Sequence, residues 1–240
     1  MRRFVAIAIL AALAVAGQVA LTSMRPVKSP AVEEGAFAAF GGLRSIIAEM
    51  VWFRADRLQA EGRYVELAQL AHALALAEPH TPEIWSYAAW NLAYNVSVMM
   101  PTDEDRWRWV HSAIALLRDD GIRINPSSSE LYRELAWLFE LKIGADIDSA
   151  SPLYRAKWRE IVADAESRGA WDELSMDPMT MNEIESRFGV TDRGHAQYSA
   201  IYWAYRGLKS AKGDDGRMLS EIIRQSVMIY IRGKGVGTNG

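Results

Sequence analysis

Apolar residues recur along most of this chain at the three- and four-residue spacing of an amphipathic helix, and no segment of the sequence sustains the alternation of a strand. Polar residues and prolines at the ends of these segments suit helix boundaries. Thr81 followed by Pro82 is a typical helix start, and Gly62 fits a left-handed helix end. The pattern predicts an all-α protein.

The segment Ala48–Pro126 is predicted to form two successive helical hairpins. The first turns at residues 62–64 and ends at Pro79, and the second ends at Pro126. This order is typical of the tetratricopeptide (TPR) unit, a helix–turn–helix of about 34 residues with a proline near its end. The second unit is longer by about 13 residues, which we assign to an insertion at Val96–Asp105. A further first helix follows, so the sequence predicts TPR-like stacked helical hairpins, an α-solenoid.

The N-terminus carries a long apolar run, Phe4–Met24, preceded by Arg2 and Arg3. The run is long enough to span a membrane as an uncleaved signal anchor. It also fits a signal peptide that is cleaved at the small residues 14–16. The positive charges before the run favour an N-terminus that stays in the cytoplasm. Both interpretations place the bulk of the chain on the periplasmic side of a bacterial inner membrane, held by a single pass or released if the leader is cleaved.

Shifts in composition and repeat phase divide the chain into predicted parts. Residues 1–24 are the signal anchor or signal peptide, and residues 25–42, which contain Pro26 and Pro30, form a linker. Residues 43–168 hold the TPR-like helical repeats. Residues 169–232 form a C-terminal helical extension in which the repeat phase fades, and residues 233–240 are a flexible tail.

The formal net charge of −3 and the absence of cysteine exclude several classes of function. An acidic surface repels phosphate backbones, so nucleic acid is not an expected partner. A chain without cysteine has no disulfides, thiolate metal sites or cysteine nucleophiles. The 4 histidines lack metal-ligand spacing, and no phosphate-binding loop or serine-nucleophile motif occurs. We therefore expect no metal, no cofactor and no enzyme, although the 30 acidic residues leave paired carboxylates for glycoside cleavage open.

In a stack of TPR hairpins, the first helix of each hairpin lines a concave groove that binds partners. Mapped onto this chain, the groove positions combine acidic residues with one tryptophan per repeat, which suits the binding of a peptide or a glycan. The candidates are Trp52, Asp56, Gln59, Ser86, Trp90, Arg133, Trp137 and Glu140. The alternative is that the tryptophans pack between the hairpins.

Two further features accompany the groove positions. Asn91 and Asn95 lie one helical turn apart, where their amides bind either a ligand's backbone or exposed carbonyls at a helix end. The inserted segment carries Met99, Met100 and Pro101, which would form an adaptable apolar tip for a partner or the membrane. The alternative for this segment is a loop that folds back on the neighbouring repeat.

Several short motifs occur together in this chain. They are Trp52-Phe53-Arg54-Ala55-Asp56, Gly62-Arg63-Tyr64, Trp90-Asn91-Leu92-Ala93-Tyr94-Asn95, Arg106-Trp107-Arg108-Trp109, Glu134-Leu135-Ala136-Trp137 and Tyr202-Trp203-Ala204. With these motifs the chain resembles a bacterial family of membrane-anchored TPR-like helical repeat proteins, over about Leu43–Arg232. The resemblance implies the architecture and an N-terminal membrane segment, and it implies no activity. Gly194-His195 departs from the family pattern, in which a proline is expected at that helix start.

Two functions follow from these observations. The leading hypothesis is a membrane-tethered periplasmic scaffold that binds a protein partner in a cell-envelope complex, because hairpins in phase follow an apolar leader without a reactive centre. The alternative is an all-helical envelope protein that binds or cleaves glycans. It rests on tryptophans that accompany acidic residues, namely Trp52, Trp90 and Trp137 with Asp56, Glu134 and Glu140.

Overall fold

A computed structural model describes residues 53–236 of the chain, with side chains as far as residue 233. Every regular element in this part is a helix, which confirms the all-α prediction. The predicted leader at 1–24, the linker at 25–42 and the groove candidate Trp52 lie outside the described residues, as do residues 237–240 of the predicted tail.

The helices follow one another through short connections. Their bounds are 53–60 (α1), Tyr64–Ala77 (α2), Pro82–Trp90 (α3), Asp103–Ala115 (α4), Ser129–Trp137 (α5), Ser151–Arg168 (α6), Pro178–Phe188 (α7), Ala196–Leu208 (α8) and Gly213–Val236 (α9). The helices α3, α4 and α5 continue without a break as wider π-helical segments, which are Asn91–Val96, Leu116–Gly121 and Leu138–Ile143, respectively. A last α-helical turn, Ile122–Ile124, ends the extension of α4, and 3-10 turns lie at Ser97–Met99 and Trp171–Leu174.

The turn of the first hairpin and the ends of the first two hairpins lie where the sequence places them. Gly62, between α1 and α2, has a φ of +68°, a left-handed conformation that glycine adopts without strain. Pro79 follows α2, and Pro126 follows the extension of α4, so both prolines lie between helices. The Pro79 carbonyl accepts hydrogen bonds from the Trp85 indole at 2.9 Å and from the Asn125 amide at 2.8 Å. One carbonyl therefore ties the start of the second hairpin to its end.

Consecutive hairpins contact each other. Helix α2 packs on α3, α3 packs on α5, and α4 packs on α6. One hydrophobic core extends from Ala71 on α2 to Tyr230 on α9, and a smaller cluster joins α1 to α2 through Ala55, Leu58 and Leu67. The larger core crosses residue 168 without interruption, so the C-terminal helices share it with the hairpins.

The segment Val96–Asp105, predicted as an inserted loop, is mostly helical. Val96 ends a π-helical segment, the 3-10 turn follows directly, and α4 begins at Asp103, so the connection consists of residues 100–102. The Thr102 hydroxyl caps α4 by accepting a hydrogen bond from the backbone amide of Asp105 at 3.1 Å. The second hairpin is longer than the first because π-helical segments prolong both of its helices.

Helix α8 is buried around most of its circumference. It runs antiparallel to α5, because the Gln197 amide at its start donates to the Glu140 carbonyl at 3.2 Å, while Gly207 near its end lies against Tyr132 near the start of α5. A Cβ atom at Gly207 would lie 2.6 Å from the Tyr132 Cβ. Glycine therefore permits the close approach of the two helices, and α9 packs on both of them.

The C-terminal helices α7 and α8 begin at side-chain caps. Helix α7 has Asp177 as its cap and Pro178 in its first turn. His195 caps α8 through a ring nitrogen that accepts a backbone hydrogen bond. Helix α9 extends to Val236, into the residues predicted as a tail.

Candidate binding pocket

A pocket of about 320 Å³ opens between α3 and α5, and the extension of α4 contributes to its wall. Aromatic, aliphatic and polar side chains line it, and they are Ser86, Trp90, Tyr94, Leu117, Glu134, Trp137, Leu138 and Leu141. We name it the α3/α5 pocket. Its volume is at the lower end of the roughly 300–1,000 Å³ range of ligand pockets and suits a single side chain or sugar ring.

All three π-helical segments named above reach the α3/α5 pocket. Trp90 and Trp137 are the last α-helical residues before two of these segments, and Tyr94, Leu117 and Leu138 lie within them. In a π-helical turn the hydrogen bonds join residues five apart, which widens the helix and changes the direction of the side chains that follow. Such turns occur frequently at functional sites. The pocket therefore lies where three packed helices change their winding together.

Two of the aromatic rings that line the pocket make cation–π contacts with basic side chains of the protein itself. Trp90 is 45% exposed and stacks on Tyr94, with ring centroids 5.8 Å apart and an interplanar angle of 28°. The Lys142 ammonium lies 5.3 Å from the Tyr94 ring centroid, and the Arg133 guanidinium lies 5.5 Å from the Trp137 ring centroid. Both distances are within the range of cation–π attraction.

One carboxylate lines the polar part of the pocket, and two more lie next to it. Glu134 lies on the wall and accepts a hydrogen bond from Arg133 at 3.1 Å, and Arg133 also pairs with Asp215 at the start of α9. Burial raises the pKa of Glu134, and the hydrogen bond from Arg133 opposes that rise. Ser86 donates its hydroxyl to Glu130 at 2.8 Å. Arg133 therefore pairs with two carboxylates at this edge of the pocket, and Glu130 is bonded to the lining residue Ser86.

A buried ion cluster supports the pocket behind Tyr94. The Asp148 carboxylate accepts hydrogen bonds from Lys142 at 2.6 Å, from the Tyr154 hydroxyl at 3.0 Å and from Arg106 at 3.2 Å. We name these four residues the Asp148 cluster. Burial opposes the ionisation of Asp148, but the hydrogen bonds, that from Lys142 first, outweigh it and lower the pKa of Asp148 to about 2. Burial, together with nearby carboxylates, raises the pKa of Tyr94 to about 12, so its phenol stays neutral.

The structure brings together three of the groove residues that the sequence predicts. Ser86, Trp90 and Trp137 line the α3/α5 pocket. Arg133 lies at its edge, where it contacts both Trp137 and Glu134. These four residues come from the first helices of two consecutive hairpins, as the repeat register predicts.

The structure places Glu140 differently from the prediction. The sequence assigns it to the groove, but its side chain is 3% exposed and does not line the pocket. Burial, followed by the charge of Glu221 on α9, raises the pKa of Glu140 to about 7. Glu140 lies within the π-helical segment after α5, where the α-helical spacing used for the prediction no longer holds.

The candidates on α1 lie away from the pocket. Asp56 and Gln59 are exposed, and Gln59 accepts a hydrogen bond from the Tyr87 hydroxyl at 3.4 Å. Neither residue lines the α3/α5 pocket. Their neighbour Trp52 lies outside the described residues, so its groove position stays a prediction.

The two predicted asparagines form a bridge between helices. Asn91 is fully buried and donates its amide to the Tyr64 carbonyl at 3.3 Å, and Asn95 donates to the Asn91 side-chain oxygen at 2.9 Å. Asn91 therefore satisfies a carbonyl at the start of α2. These contacts agree with the structural alternative for this pair.

The predicted apolar tip lies at the short connection between the extension of α3 and α4. Met99 and Pro101 are exposed, and Met100 is half-buried. The Met100 carbonyl accepts a hydrogen bond from Arg106 at 3.1 Å. The connection is thus anchored to α4 through its backbone, while the side chains on either side of Met100 face outward.

Sequence reasoning misses four lining residues, Tyr94, Leu117, Leu138 and Leu141. Tyr94 follows Trp90 at the four-residue spacing that places both on one side of a helix. This spacing is a sufficient signal to include Tyr94 among the candidate groove residues. The leucines carry no such signal, because an apolar residue in a helical stripe is expected in the core. Their position at the pocket depends on the π-helical segments.

Within residues 53–236, no helix is both long enough and apolar enough to cross a membrane. The same part of the chain holds no group of 3 or more histidine, aspartate or glutamate residues placed to bind a metal ion. Comparison of the chain with protein-family models, with curated proteins and with solved structures finds no match. The resemblance to TPR-like membrane-anchored proteins therefore stays a prediction.

Proposed function

We propose that the chain is a helical-repeat scaffold, with its hairpins stacked as a TPR-like solenoid, and that its α3/α5 pocket binds a protein partner in a cell-envelope complex. The observation that carries this proposal is the meeting of Ser86, Trp90 and Trp137, which the repeat register assigns to a groove, in one pocket. Interfaces draw most of their binding energy from a few large anchors, tryptophan above all. The exposed ring of Trp90 offers such an anchor.

Capture of partners from membranes tests the pocket. The full chain carries an affinity tag, is cross-linked in cells and is purified from solubilised membranes. Trp90→Ala should reduce the recovered partner by about tenfold, because loss of a central aromatic anchor typically has that effect. The matched control is Trp109→Ala, since Trp109 is half-buried on α4 and does not line the pocket. Equal recovery with both variants, or no reproducible partner with the unchanged chain, contradicts the proposal.

The proposal includes attachment to the inner membrane through residues 1–24, with the helical repeats in the periplasm. It is supported by the apolar run Phe4–Met24 and the positive charges that precede it. N-terminal sequencing of the protein extracted from membranes distinguishes the two forms. A retained leader supports the anchor, and a start after residues 14–16 supports a cleaved signal peptide. Recovery of the intact chain from the cytoplasm alone contradicts both.

Glycan binding is the second candidate function. The exposed ring of Trp90 lies in the same pocket as the Glu134 carboxylate, and sugars bind to such combinations of a ring and an acid. Glycoside cleavage uses two carboxylates about 5–10 Å apart that flank the sugar bond. Among the described residues Glu134 is the carboxylate that lines the pocket, whereas Glu140 is buried outside it, so the geometry favours binding over cleavage. Calorimetric titration with an N-acetylglucosamine oligomer tests this candidate, and no heat of binding contradicts it.

A further inference from the structure

We propose that the α3/α5 pocket binds the ammonium group of a lysine side chain in a basic segment of the partner protein. This inference rests on the proposed function, because it names the chemistry of the partner at the same pocket. It is carried by three independent features of the pocket, which are its charge, its aromatic rings and its aliphatic wall.

The charge at the edge of the pocket favours a cation. Glu134, on the pocket wall, is within electrostatic range of Glu130 and Asp215. One guanidinium, that of Arg133, pairs with both Glu134 and Asp215. Two negative charges therefore remain without a cation of their own among these four residues. A ligand ammonium complements this excess, whereas a phosphate or carboxylate is repelled.

The aromatic rings also favour a cation. The protein places its own cations against two of them, Arg133 against Trp137 and Lys142 against Tyr94. Trp90 lines the pocket, stacks on Tyr94 and keeps 45% of its surface exposed. Tryptophan is the aromatic side chain that attracts cations most strongly, so its exposed surface suits an ammonium group from outside.

The aliphatic wall fits the rest of a lysine side chain. Leu117, Leu138 and Leu141 line the pocket together with the rings. A lysine buries its methylene stem against apolar surface and keeps the ammonium group at a polar site. The pocket volume of about 320 Å³ is sufficient for one such side chain. A partner that offers exposed lysines also suits the acidic balance of the whole chain, whose formal net charge is −3.

The test uses the full chain and a short peptide of alternating alanine and lysine. Binding is measured by calorimetry, and its location by the NMR signals of the Trp90 and Trp137 indole N–H groups. The matched probe is the same peptide with glutamine in place of lysine, and an N-acetylglucosamine oligomer represents a neutral sugar. We expect the lysine peptide to bind and to shift both indole signals, and we expect the glutamine peptide to bind at least tenfold more weakly, roughly the effect of losing one charged contact.

Two variants separate the pocket from general attraction to an acidic protein. Glu134→Gln removes the carboxylate at constant shape and should weaken lysine-peptide binding by roughly tenfold. Trp90→Leu keeps an apolar side chain at a position that is 45% exposed and should weaken binding similarly. The control is Glu160→Gln, because Glu160 is exposed on α6 in a surface ion pair with Lys157 and should leave binding unchanged. Thermal melting confirms that each variant is folded.

The outcomes distinguish this inference from the proposed function. Equal binding of the lysine and glutamine peptides overturns the lysine proposal, as does a loss of affinity that is the same for Glu134→Gln and Glu160→Gln. Preferential binding of the sugar overturns it as well. In these cases the proposed function still stands if Trp90→Ala loses the partner in cells. If Trp90→Ala recovers as much partner as the unchanged chain, the proposed function is contradicted, whether or not the lysine peptide binds.

Discussion

Asp148 shows how much a single buried carboxylate contributes to this fold. Its oxygens accept hydrogen bonds from Lys142, Tyr154, Arg106 and the backbone amide of Ala150. Asp148→Asn would leave the Lys142 ammonium, which is 2% exposed, without its counter-charge. We expect the free energy of unfolding to fall by about 3 kcal/mol, because breaking one side of a buried ion pair leaves an uncompensated charge. Urea denaturation at neutral pH measures this change.

The same loop supplies the control for this prediction. Asp146 pairs with Arg155 at 2.7 Å, but its side chain is 80% exposed. Asp146→Asn should change the free energy of unfolding by no more than about 0.5 kcal/mol, since exposed ion pairs contribute little. Equal effects of the two substitutions would show that the Asp148 cluster adds nothing beyond an ordinary surface pair.

At the scale of single residues, the sequence predicts positions well where the helix is α-helical. Ser86, Trp90 and Trp137, which the repeat register assigns to one surface, all lie on α-helical turns and line one pocket. Glu140 lies three residues beyond Trp137, inside a π-helical segment, and its side chain turns into the interior instead. The sequence has no spacing rule for the onset of π-helical winding, so this reversal could not be predicted.

Gly207 determines how closely the helices α5 and α8 approach. A Cβ atom at this position would lie 2.6 Å from the Tyr132 Cβ and 3.2 Å from a methyl group of Leu219. Gly207→Ala should therefore force the helices apart and lower the free energy of unfolding by about 1–3 kcal/mol, despite the better helix propensity of alanine. Thermal melting and urea denaturation measure the effect.

Gly216 on α9 is the matched control, because it is also a glycine within a helix. Its Cβ would meet the Ala211 Cβ at 3.9 Å, an ordinary contact. Gly216→Ala should leave stability unchanged or raise it by up to about 1 kcal/mol. If Gly207→Ala were equally harmless, the close packing of α8 on α5 would not constrain the fold.

At the scale of elements, the sequence predicts boundaries that have a local chemical signal. Gly62, Pro79 and Pro126 lie between helices, because glycine and proline end helices through their own backbone properties. The extra residues of the second hairpin lack such a signal, and they prolong helices where a loop is predicted. The packing of α8 on α5 depends on a close contact between Gly207 and Tyr132, which are distant in sequence. The spacing of residues within one helix does not predict such a contact between two helices.

At the scale of the whole molecule, two buried carboxylates in the described part of the chain have opposite effects on the pH dependence of stability. The folded state lowers the pKa of Asp148 from 3.8 to about 2, so Asp148 binds its proton less tightly when the protein is folded. The stability that Asp148 contributes is therefore lost as the pH falls from 3.8 towards 2. Glu140 has its pKa raised from 4.5 to about 7, so the folded state holds more protons than the unfolded state between these values. Stability then falls as pH rises through that window. These two groups together favour maximal stability near pH 4–5, roughly between their two windows.

Replacement of Glu140 by its neutral isostere tests this dependence. One carboxylate oxygen of Glu140 has no hydrogen-bond partner among the described residues, so the fold offers little to stabilise the ionised form. The free energy of unfolding of Glu140→Gln should therefore equal that of the unchanged chain near pH 5. At about pH 8 it should be higher by about 2 kcal/mol, because the native Glu140 must then carry a buried charge. Urea denaturation across the pH range measures the difference. Glu160→Gln, at an exposed position on α6, should give a curve parallel to that of the unchanged chain. If the Glu140→Gln curve is parallel as well, Glu140 is already ionised in the folded state at pH 5, and burial does not control its charge.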